Sequence, residues 1–198
     1  MTSFEASFKK CMEFEGEYSN DPQDRGGETY CGIARNFFPK WEGWPYIDDA
    51  KKKVGTKPSA ISKAVRNIEA LRDYVKVWYK KEWWDCWDLD QYQDDVAMEV
   101  FEQAVNLGKG GVGKHIQIVC NAFNFDRKTR LPLFEDLVID NAVGKKTLAA
   151  FKIMLQNHDA KSIVHALNCC QGYHYLNLAA RKKTQRVFTY GWLKRTYD

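Results

Sequence analysis

Three side chains near the N-terminus have the chemical types that a hydrolytic site requires. Glu15 and Asp24 are carboxylic acids nine residues apart, and Thr29 supplies a hydroxyl five residues further on. Hydrolysis of a glycosidic bond needs a proton donor, a second carboxylate and an oriented water, and in inverting enzymes the two carboxyls stand roughly 6.5–9.5 Å apart. The set therefore favours an inverting glycosidase site in which Thr29 holds the water.

Glu15 is the candidate proton donor because of its place in the predicted first helix. At about 100° per residue it lies on the same line as Phe4, Phe8 and Cys11, which are expected to face the core. Partial burial and the helix C-terminus both disfavour a negative charge, so both raise the pKa of the carboxyl. The alternative is that the helix frays and Glu15 turns into solvent at its end.

The elements that must position these residues are mostly helices. A T-x-x-E capping box at Thr2 predicts a first helix that ends at Gly16. Residues 17–57 are rich in turns and aromatic side chains, and residues 25–40 are expected to form a small β-hairpin beside the active-site cleft. Apolar residues at three- and four-residue steps predict further helices within 58–78, 96–105, 116–123, 148–155 and 163–178.

Composition limits the class of protein. A chain of 198 residues with 44% hydrophobic and 14% aromatic residues can fill one domain, or at most two small ones. The net charge of +4 suits an anionic partner such as a cell wall or a nucleic acid, and the runs 51–53 and 181–183 are either solvated faces or attract anionic wall polymers. No apolar run has the length of a signal peptide or a membrane span, so we expect synthesis in the cytoplasm.

One Gly-rich segment resembles a nucleotide-binding motif but lacks its context. The segment GKGGVGKH, residues 108–115, has the spacing of a phosphate-binding loop, but His115 stands where Ser or Thr should bind magnesium. The preceding segment has helical period, with Glu99, Glu102 and Gln103 expected on its outer side, so a Gly-rich turn between helices is predicted instead.

Cysteine and histidine spacing does not require a metal. Six cysteines without a CxxC pair fit reduced thiols. His165 with Cys169, and Cys170 with His174, have a helical spacing that could hold a metal, but no further ligands cluster nearby. We predict no metal and no cofactor.

The residues around Glu15 resemble a specific signature. Residues 15–22 (EGEYSNDP), Asp24, residues 26–29 (GGET) and residues 32–33 (GI) are similar to the opening of the glycosyl hydrolase 108 family, bacterial and phage N-acetylmuramidases also labelled secretion activator proteins. The resemblance implies a lysozyme-like fold, mainly α (α+β), with Glu15 as the acid.

Weaker likenesses continue downstream. They look like the peptidoglycan-binding region of that family, and they comprise residues 83–85 (WWD), 104–108 (AVNLG), 139–144 (IDNAVG) with Thr147, and 191–195 (GWLKR). We therefore expect a single lysozyme-like domain over residues 1–198, with a muramidase catalytic region in 1–90 and a peptidoglycan-binding region in 91–198.

Three further residues are assigned to substrate binding: Asn106, Trp84 and Tyr18. Asn106 could hydrogen-bond an N-acetyl group or simply cap a helix. Of Trp83, Trp84 and Trp87, about one is expected to stack on a sugar, since Trp in a helical domain is more often part of the core.

Two positions depart from the family pattern. Glu17 replaces the second Gly of E-G-G-Y and places another carboxylate beside the presumed acid, where it either tunes the pKa of Glu15 or lies in solvent. Asn141 replaces a Gly in the D-G-x-x-G turn, a mild change because Asn tolerates the left-handed backbone conformation.

Together these features favour an endolysin-type muramidase that cleaves the β-1,4 bond between N-acetylmuramic acid and N-acetylglucosamine. The alternative is a non-catalytic peptidoglycan-binding or secretion-assisting protein; a nucleic-acid-binding protein is disfavoured because no recognition helix is evident. The expected partner is the peptidoglycan glycan strand, with no nucleic acid and no membrane insertion, and the expected state is a monomer. A protein without a signal peptide would reach the wall after release, as phage or prophage lysins do, or by non-Sec export.

Overall fold

The computed structural model describes residues 3–12, 17–21 and 26–197. The chain forms two compact units, Met1–Cys86 and Trp87–Asp198, and each is described by itself. Helices predominate in the described residues and one small antiparallel sheet accompanies them, which confirms the predicted mainly α class with a small β element. The expectation of a single domain stays a prediction.

The first unit combines four α-helices and a three-stranded sheet with strand order β1-β2-β3. A π-helical turn, Lys80–Trp84, follows the last α-helix of the unit. A 3-10 turn, Asp85–Trp87, comes next. The elements are α1 (Ser3–Met12), β1 (Tyr18–Asn20), β2 (Glu28–Tyr30), β3 (Ile33–Ala34), α2 (Trp44–Val54), α3 (Pro58–Val65) and α4 (Glu69–Tyr79).

Helix α1 packs through an aromatic stripe, as its sequence predicts. Phe4 is buried and contacts the edge of Trp84 with ring centroids 5.4 Å apart. Phe8, one turn on, contacts Tyr79 of α4 at 5.5 Å. Rings at i and i+4 share one face of a helix, so these two contacts fix the face of α1 that lies on α4. The predicted end of this helix, with Glu15, lies outside the described residues.

Helix α2 was not predicted, because its start lies in the aromatic segment that was interpreted as loops. Trp44 opens the helix and Pro45 occupies its first turn, where the missing N–H is no loss. Trp44, Ile47 and Ala50 then recur every three residues and are buried. The Trp-Pro pair followed by this three-residue spacing is the sequence pattern that indicates helix α2.

The helical period from Pro58 belongs to two helices instead of one. Helix α3 ends at Val65 and α4 begins at Glu69, with Ile68 in an extended conformation between them. Ile61 and Val65 have no exposed surface, and Val75 and Trp78 are buried. The buried apolar positions were predicted correctly. The break between α3 and α4 was not predicted, because the apolar residues on either side of it continue nearly the same helical spacing.

The second unit is built on one long helix. It contains a 3-10 turn, Leu89–Gln91, and a 3-10 helix, Lys183–Phe188. Its α-helices are α5 (Asp94–Ala122), α6 (Lys145–Asn157), α7 (Ala160–Arg181) and α8 (Thr189–Lys194).

Helix α5 contains the Gly-rich segment. Gly108 interrupts it with φ +74° and ψ 167°, and the helix resumes through Gly110 and Gly111 to Ala122. A turn between helical segments was predicted, and the structure confirms it as a sharp kink at Gly108. Only glycine adopts this backbone conformation readily.

Gly113 has a separate reason to be glycine. A Cβ at this position would stand 2.8 Å from the backbone oxygen of Asn141 and 2.8 Å from Cγ2 of Val143. Asn141 itself has φ +65°, the left-handed conformation that was predicted for it. Gln117 of α5 donates to Asp140 (2.7 Å) and to the Ala142 carbonyl (2.9 Å), which holds this turn against the helix.

The prediction that Glu99 and Gln103 lie on the outer side of their helix is wrong. Both are buried, with Gln103 fully so. Gln103 donates to Glu99 (2.6 Å) and accepts from His115 Nδ1 (2.8 Å), and Asn168 of α7 donates to Glu99 (2.9 Å). Polar residues with these partners can occupy a core face, and periodicity alone does not distinguish them from solvated ones.

All six cysteines are free thiols.

Among the described residues no helix combines the length and the apolar character that crossing a bilayer requires.

Candidate functional site

The β2–β3 hairpin of the first unit carries Thr29. Cys31 (φ +45°) and Gly32 (φ +75°) form the two-residue turn between the strands, and two consecutive positive φ values are typical of a type I′ turn. Thr29 is the middle residue of β2 and lies opposite Ser19 of β1 and Ala34 of β3. The predicted hairpin within residues 25–40 is confirmed, and β1 extends it to three strands.

The Thr29 hydroxyl is half-buried and oriented. It donates a 3.1 Å hydrogen bond to the carbonyl of Gly27. Because the hydroxyl proton is engaged there, the lone pairs of the oxygen remain to accept a hydrogen bond. Thr29 can therefore hold a water by accepting a hydrogen bond from it.

Gly27 fixes the approach to β2. Its φ is +64°, and a Cβ would stand 2.8 Å from Nδ2 of Asn36. Asn36 in turn donates its backbone N–H to the Gly26 carbonyl at 3.2 Å. The second glycine of the Gly-Gly pair, Gly27, is thus needed for backbone conformation and for close packing beside the strand that carries Thr29.

Glu28, next to Thr29, is buried and is the centre of an ionic network whose other charged members are partly exposed. Its carboxylate accepts from the Tyr18 hydroxyl (2.7 Å) and from Lys51 Nζ (2.6 Å), and lies 3.0 Å from Nε of Arg35. Arg35 and Lys51 also contact Asp48, both at 2.9 Å, and hydrogen bonds from Arg35 lower the pKa of that carboxyl. Two cations therefore compensate two carboxylates between the sheet and α2.

An open cleft of about 430 Å³ lies beside this network. The Arg35 guanidinium stacks on the Trp44 ring at 4.4 Å. Sequence reasoning missed Arg35 and Trp44, because no motif joins residues from a hairpin and a helix. The cleft is lined by Arg35, Pro39, Lys40, Trp41, Glu42, Trp44, Pro45 and Asp48.

Glu17, the extra carboxylate of the signature, is paired. Arg66 of α3 donates to both of its oxygens, from Nε at 2.8 Å and from Nη2 at 3.1 Å. Hydrogen bonding from Arg66 lowers the pKa of Glu17. This carboxylate is ionised near neutral pH and has no proton to give to a leaving group.

The predicted acid and base, Glu15 and Asp24, lie outside the described residues. Thr29 is therefore the described member of the predicted catalytic set, and the distance between the two carboxyls stays a prediction.

The aromatic residues assigned to substrate binding are buried. Tyr18 is 7% exposed and its hydroxyl is bound to Glu28, while Trp84 has no exposed surface. Trp87 of the second unit is also buried, whereas Trp83 is half-buried. The binding roles of Tyr18 and Trp84 stay predictions. Of the three Trp residues, Trp83 has the most accessible surface.

Asn106 lies in the second unit, exposed on α5 two residues before the kink at Gly108. Its side-chain oxygen accepts from Arg195, and its amide group donates to Glu102 at 3.4 Å. Two motifs that were compared with a peptidoglycan-binding region, 104–108 and 191–195, therefore meet in this unit.

Within the described residues, no three His, Cys, Asp or Glu side chains are grouped to hold a metal ion. Cys169 and His165 do contact each other, with Sγ 3.7 Å from Nε2.

One solved structure is similar to this chain in fold. The structure of Brucella abortus SagA superposes with a TM-score of 0.58 at 19% identity, over 98% of this chain and 89% of that one. That likeness, at such low identity, concerns the fold alone. No curated protein matches the sequence.

Two family models match in succession along the chain. Residues 124–197 match the family described as "Predicted Peptidoglycan domain". Residues 8–108, which include the hairpin and the ionic network, match the family described as "Glycosyl hydrolase 108". This protein is thus a peptidoglycan-related, lysozyme-like protein that belongs to the glycosyl hydrolase 108 family.

Proposed function

We propose that this protein is an endolysin-type N-acetylmuramidase that cleaves the β-1,4 bond between N-acetylmuramic acid and N-acetylglucosamine in peptidoglycan. Membership of a glycosyl hydrolase family supports hydrolysis, and the match to a peptidoglycan domain supports the substrate class. The protein acts as a monomer on the wall after release from the cytoplasm or non-Sec export.

In the proposed reaction Glu15 donates its proton to the glycosidic oxygen as the bond to the anomeric carbon breaks. Asp24 takes a proton from the attacking water, whose oxygen forms the new bond to that carbon. Thr29 accepts a hydrogen bond from the other O–H of the water, which stays on the oxygen as the new hydroxyl of the sugar; the Thr29 oxygen has lone pairs for this because its own proton is donated to the Gly27 carbonyl.

The observation that carries the choice of acid is the ion pair between Glu17 and Arg66. The signature offers two neighbouring carboxyls, and Arg66 keeps one of them ionised through two hydrogen bonds. Glu15 is then the carboxyl left to act as proton donor.

The test compares two matched variants on purified wall sacculi. Glu15→Gln preserves size and hydrogen bonding but removes the proton donor, and should reduce muropeptide release by about 10²-fold or more. Glu17→Gln should retain most of the activity. Mass analysis of the products should find new reducing ends on muramic acid.

Each other outcome has a defined meaning. An active Glu15→Gln variant, or a folded but inactive Glu17→Gln variant, would show that Glu15 is not the proton donor. Reducing ends on glucosamine would identify a different bond. A wild-type protein that binds sacculi without releasing fragments would be a non-catalytic binding or secretion-assisting protein.

A further inference from the structure

The C-terminal part of the chain has an unusual charge distribution. From residue 160 to residue 197 it contains no Asp or Glu and seven Lys and Arg, which exceeds the net charge of +4 of the whole chain. The nearest acidic residues in the sequence are Asp159 and Asp198, on either side of this stretch. A field of one sign over a surface attracts polyanions or anionic surfaces. The seven cations are Lys161, Arg181, Lys182, Lys183, Arg186, Lys194 and Arg195.

The same region exposes large apolar side chains. Tyr190 and Val187 are 88% and 79% exposed, the highest values for large apolar residues in the described part of the chain. They are three residues apart where the 3-10 helix Lys183–Phe188 continues into α8. Residues three apart are neighbours on the surface of both 3-10 and α-helices, so the two side chains lie near each other. Tyr173, Leu176, Phe188 and Tyr197 are also exposed.

Contacts beneath this face hold it in place. Trp192 stacks on Tyr175 of α7 with ring centroids 5.3 Å apart, and Phe188 lies 5.7 Å from Trp192. Arg186 Nε donates to the Ala179 carbonyl at 3.3 Å. The segment is anchored to α7 by these contacts, while Val187 and Tyr190 are exposed to solvent.

We propose that residues 181–197, the C-terminal surface, bind peripherally to a membrane that contains anionic phospholipids. Lys182, Lys183 and Lys194 pair with lipid phosphates, while Val187 and Tyr190 enter the boundary between head groups and acyl chains. Cations together with exposed apolar side chains are typical of interfacial elements. A soluble polyanion would use the cations but would give Val187 no favourable contact, so the combination favours a lipid surface.

The experiment measures partition of the full-length protein onto large unilamellar vesicles by co-sedimentation. Vesicles of phosphatidylglycerol and phosphatidylethanolamine should bind the protein at least 10-fold more tightly than phosphatidylcholine vesicles, and added salt should weaken binding. The double variant Val187→Ser/Tyr190→Ser and the triple variant Lys182→Gln/Lys183→Gln/Lys194→Gln should each reduce binding about 10-fold.

The matched control is Val138→Ser, which removes a valine that is 78% exposed elsewhere in the unit, and should bind as wild type. Far-UV circular dichroism and thermal melting verify that each variant folds. Failure of the wild type to bind anionic vesicles would overturn the proposal. So would binding that the apolar double variant leaves intact and that inorganic polyphosphate displaces, because the surface would then serve a soluble polyanion.

Discussion

The hydroxyl of Tyr18 donates a 2.7 Å hydrogen bond to the carboxylate of Glu28, and both side chains are buried in the small sheet of the first unit. Tyr18 lies on β1 and Glu28 on β2, so the bond adds a side-chain contact between two strands that also pair through their backbones. Burial and the neighbouring carboxylate raise the pKa of Tyr18. This tyrosine of the signature is thus engaged in holding the strand that carries Thr29.

Removing the Tyr18 hydroxyl should therefore affect stability. Tyr18→Phe should lower the free energy of unfolding by about 1.5–3 kcal/mol, the range for a hydrogen bond to a charged group. Glu28→Gln should cost at least as much, about 3 kcal/mol, because Lys51 and Arg35 lose a compensating charge. Urea unfolding of both single variants and of the double variant measures their coupling.

The same variant tests the substrate-binding prediction for Tyr18. If the hydroxyl serves the sheet, Tyr18→Phe should bind wall sacculi as wild type does at temperatures well below its melting point. Weaker binding without loss of stability would instead show that Tyr18 contacts glycan.

Thr29 can be tested by a pair of near-isosteric changes. Thr29→Val preserves the shape and the β-branching but removes the hydroxyl, and if Thr29 positions the water it should lower kcat about 10–100-fold with little change in KM. Thr29→Ser keeps the hydroxyl and should retain most of the turnover. Both are measured as muropeptide release at saturating sacculi.

A Thr29→Val variant with wild-type kcat would remove Thr29 from the proposed mechanism. A raised KM with unchanged kcat would make it a substrate-binding residue. Equal losses in the Val and Ser variants would point to strand packing, which melting temperatures would verify.

Gly113 and Gly110 form a matched pair on α5. A Cβ on Gly113 would stand 2.8 Å from the backbone oxygen of Asn141, so Gly113→Ala must displace that turn and should destabilise by about 1–3 kcal/mol. At Gly110 the nearest atoms are 3.9 Å away, and Gly110→Ala should stabilise by about 0.5–1 kcal/mol because alanine favours the helix. Urea midpoints that move in the same direction for both variants would contradict this account.

The difference between local and distant determinants explains what the sequence could predict. The helix periods, the hairpin, the left-handed Asn141 and the break at Gly108 depend on neighbouring residues, and they were predicted. The partner of Glu17 is Arg66, 49 residues away, and the partners of Glu28 are Arg35 and Lys51, which are 7 and 23 residues away. Nothing in the spacing of a single sequence specifies such pairs, so the ionic network was missed.

Glu99 and Gln103 illustrate the same limit in the second unit. They have the helical spacing of a solvated polar face, and they were assigned to one. Their burial depends on His115 and on Asn168, which comes from a different helix. Polar residue type predicts exposure on average, and only the packed partners reveal the exception.

His115 should give this buried network a dependence on pH. Burial, with the nearby charges of His174 and Lys114, lowers the pKa of His115 from 6.5 to about 4. Between these two values the unfolded chain binds a proton on His115 that the folded chain does not, so the free energy of unfolding falls as pH drops. The loss is about 1.4 kcal/mol per pH unit at its steepest and ~3 kcal/mol over the window.

The variant His115→Asn separates this group from the other titrating residues. The asparagine amide can still donate towards Gln103 but does not titrate, so urea unfolding at pH 7, 6, 5 and 4.5 should give a flatter pH dependence than the wild type. The exposed His165, replaced by Asn, is the control and should retain the wild-type slope. If His115→Asn kept the full slope, the acid sensitivity would belong to other groups, with His174, whose pKa burial also lowers, the first to examine.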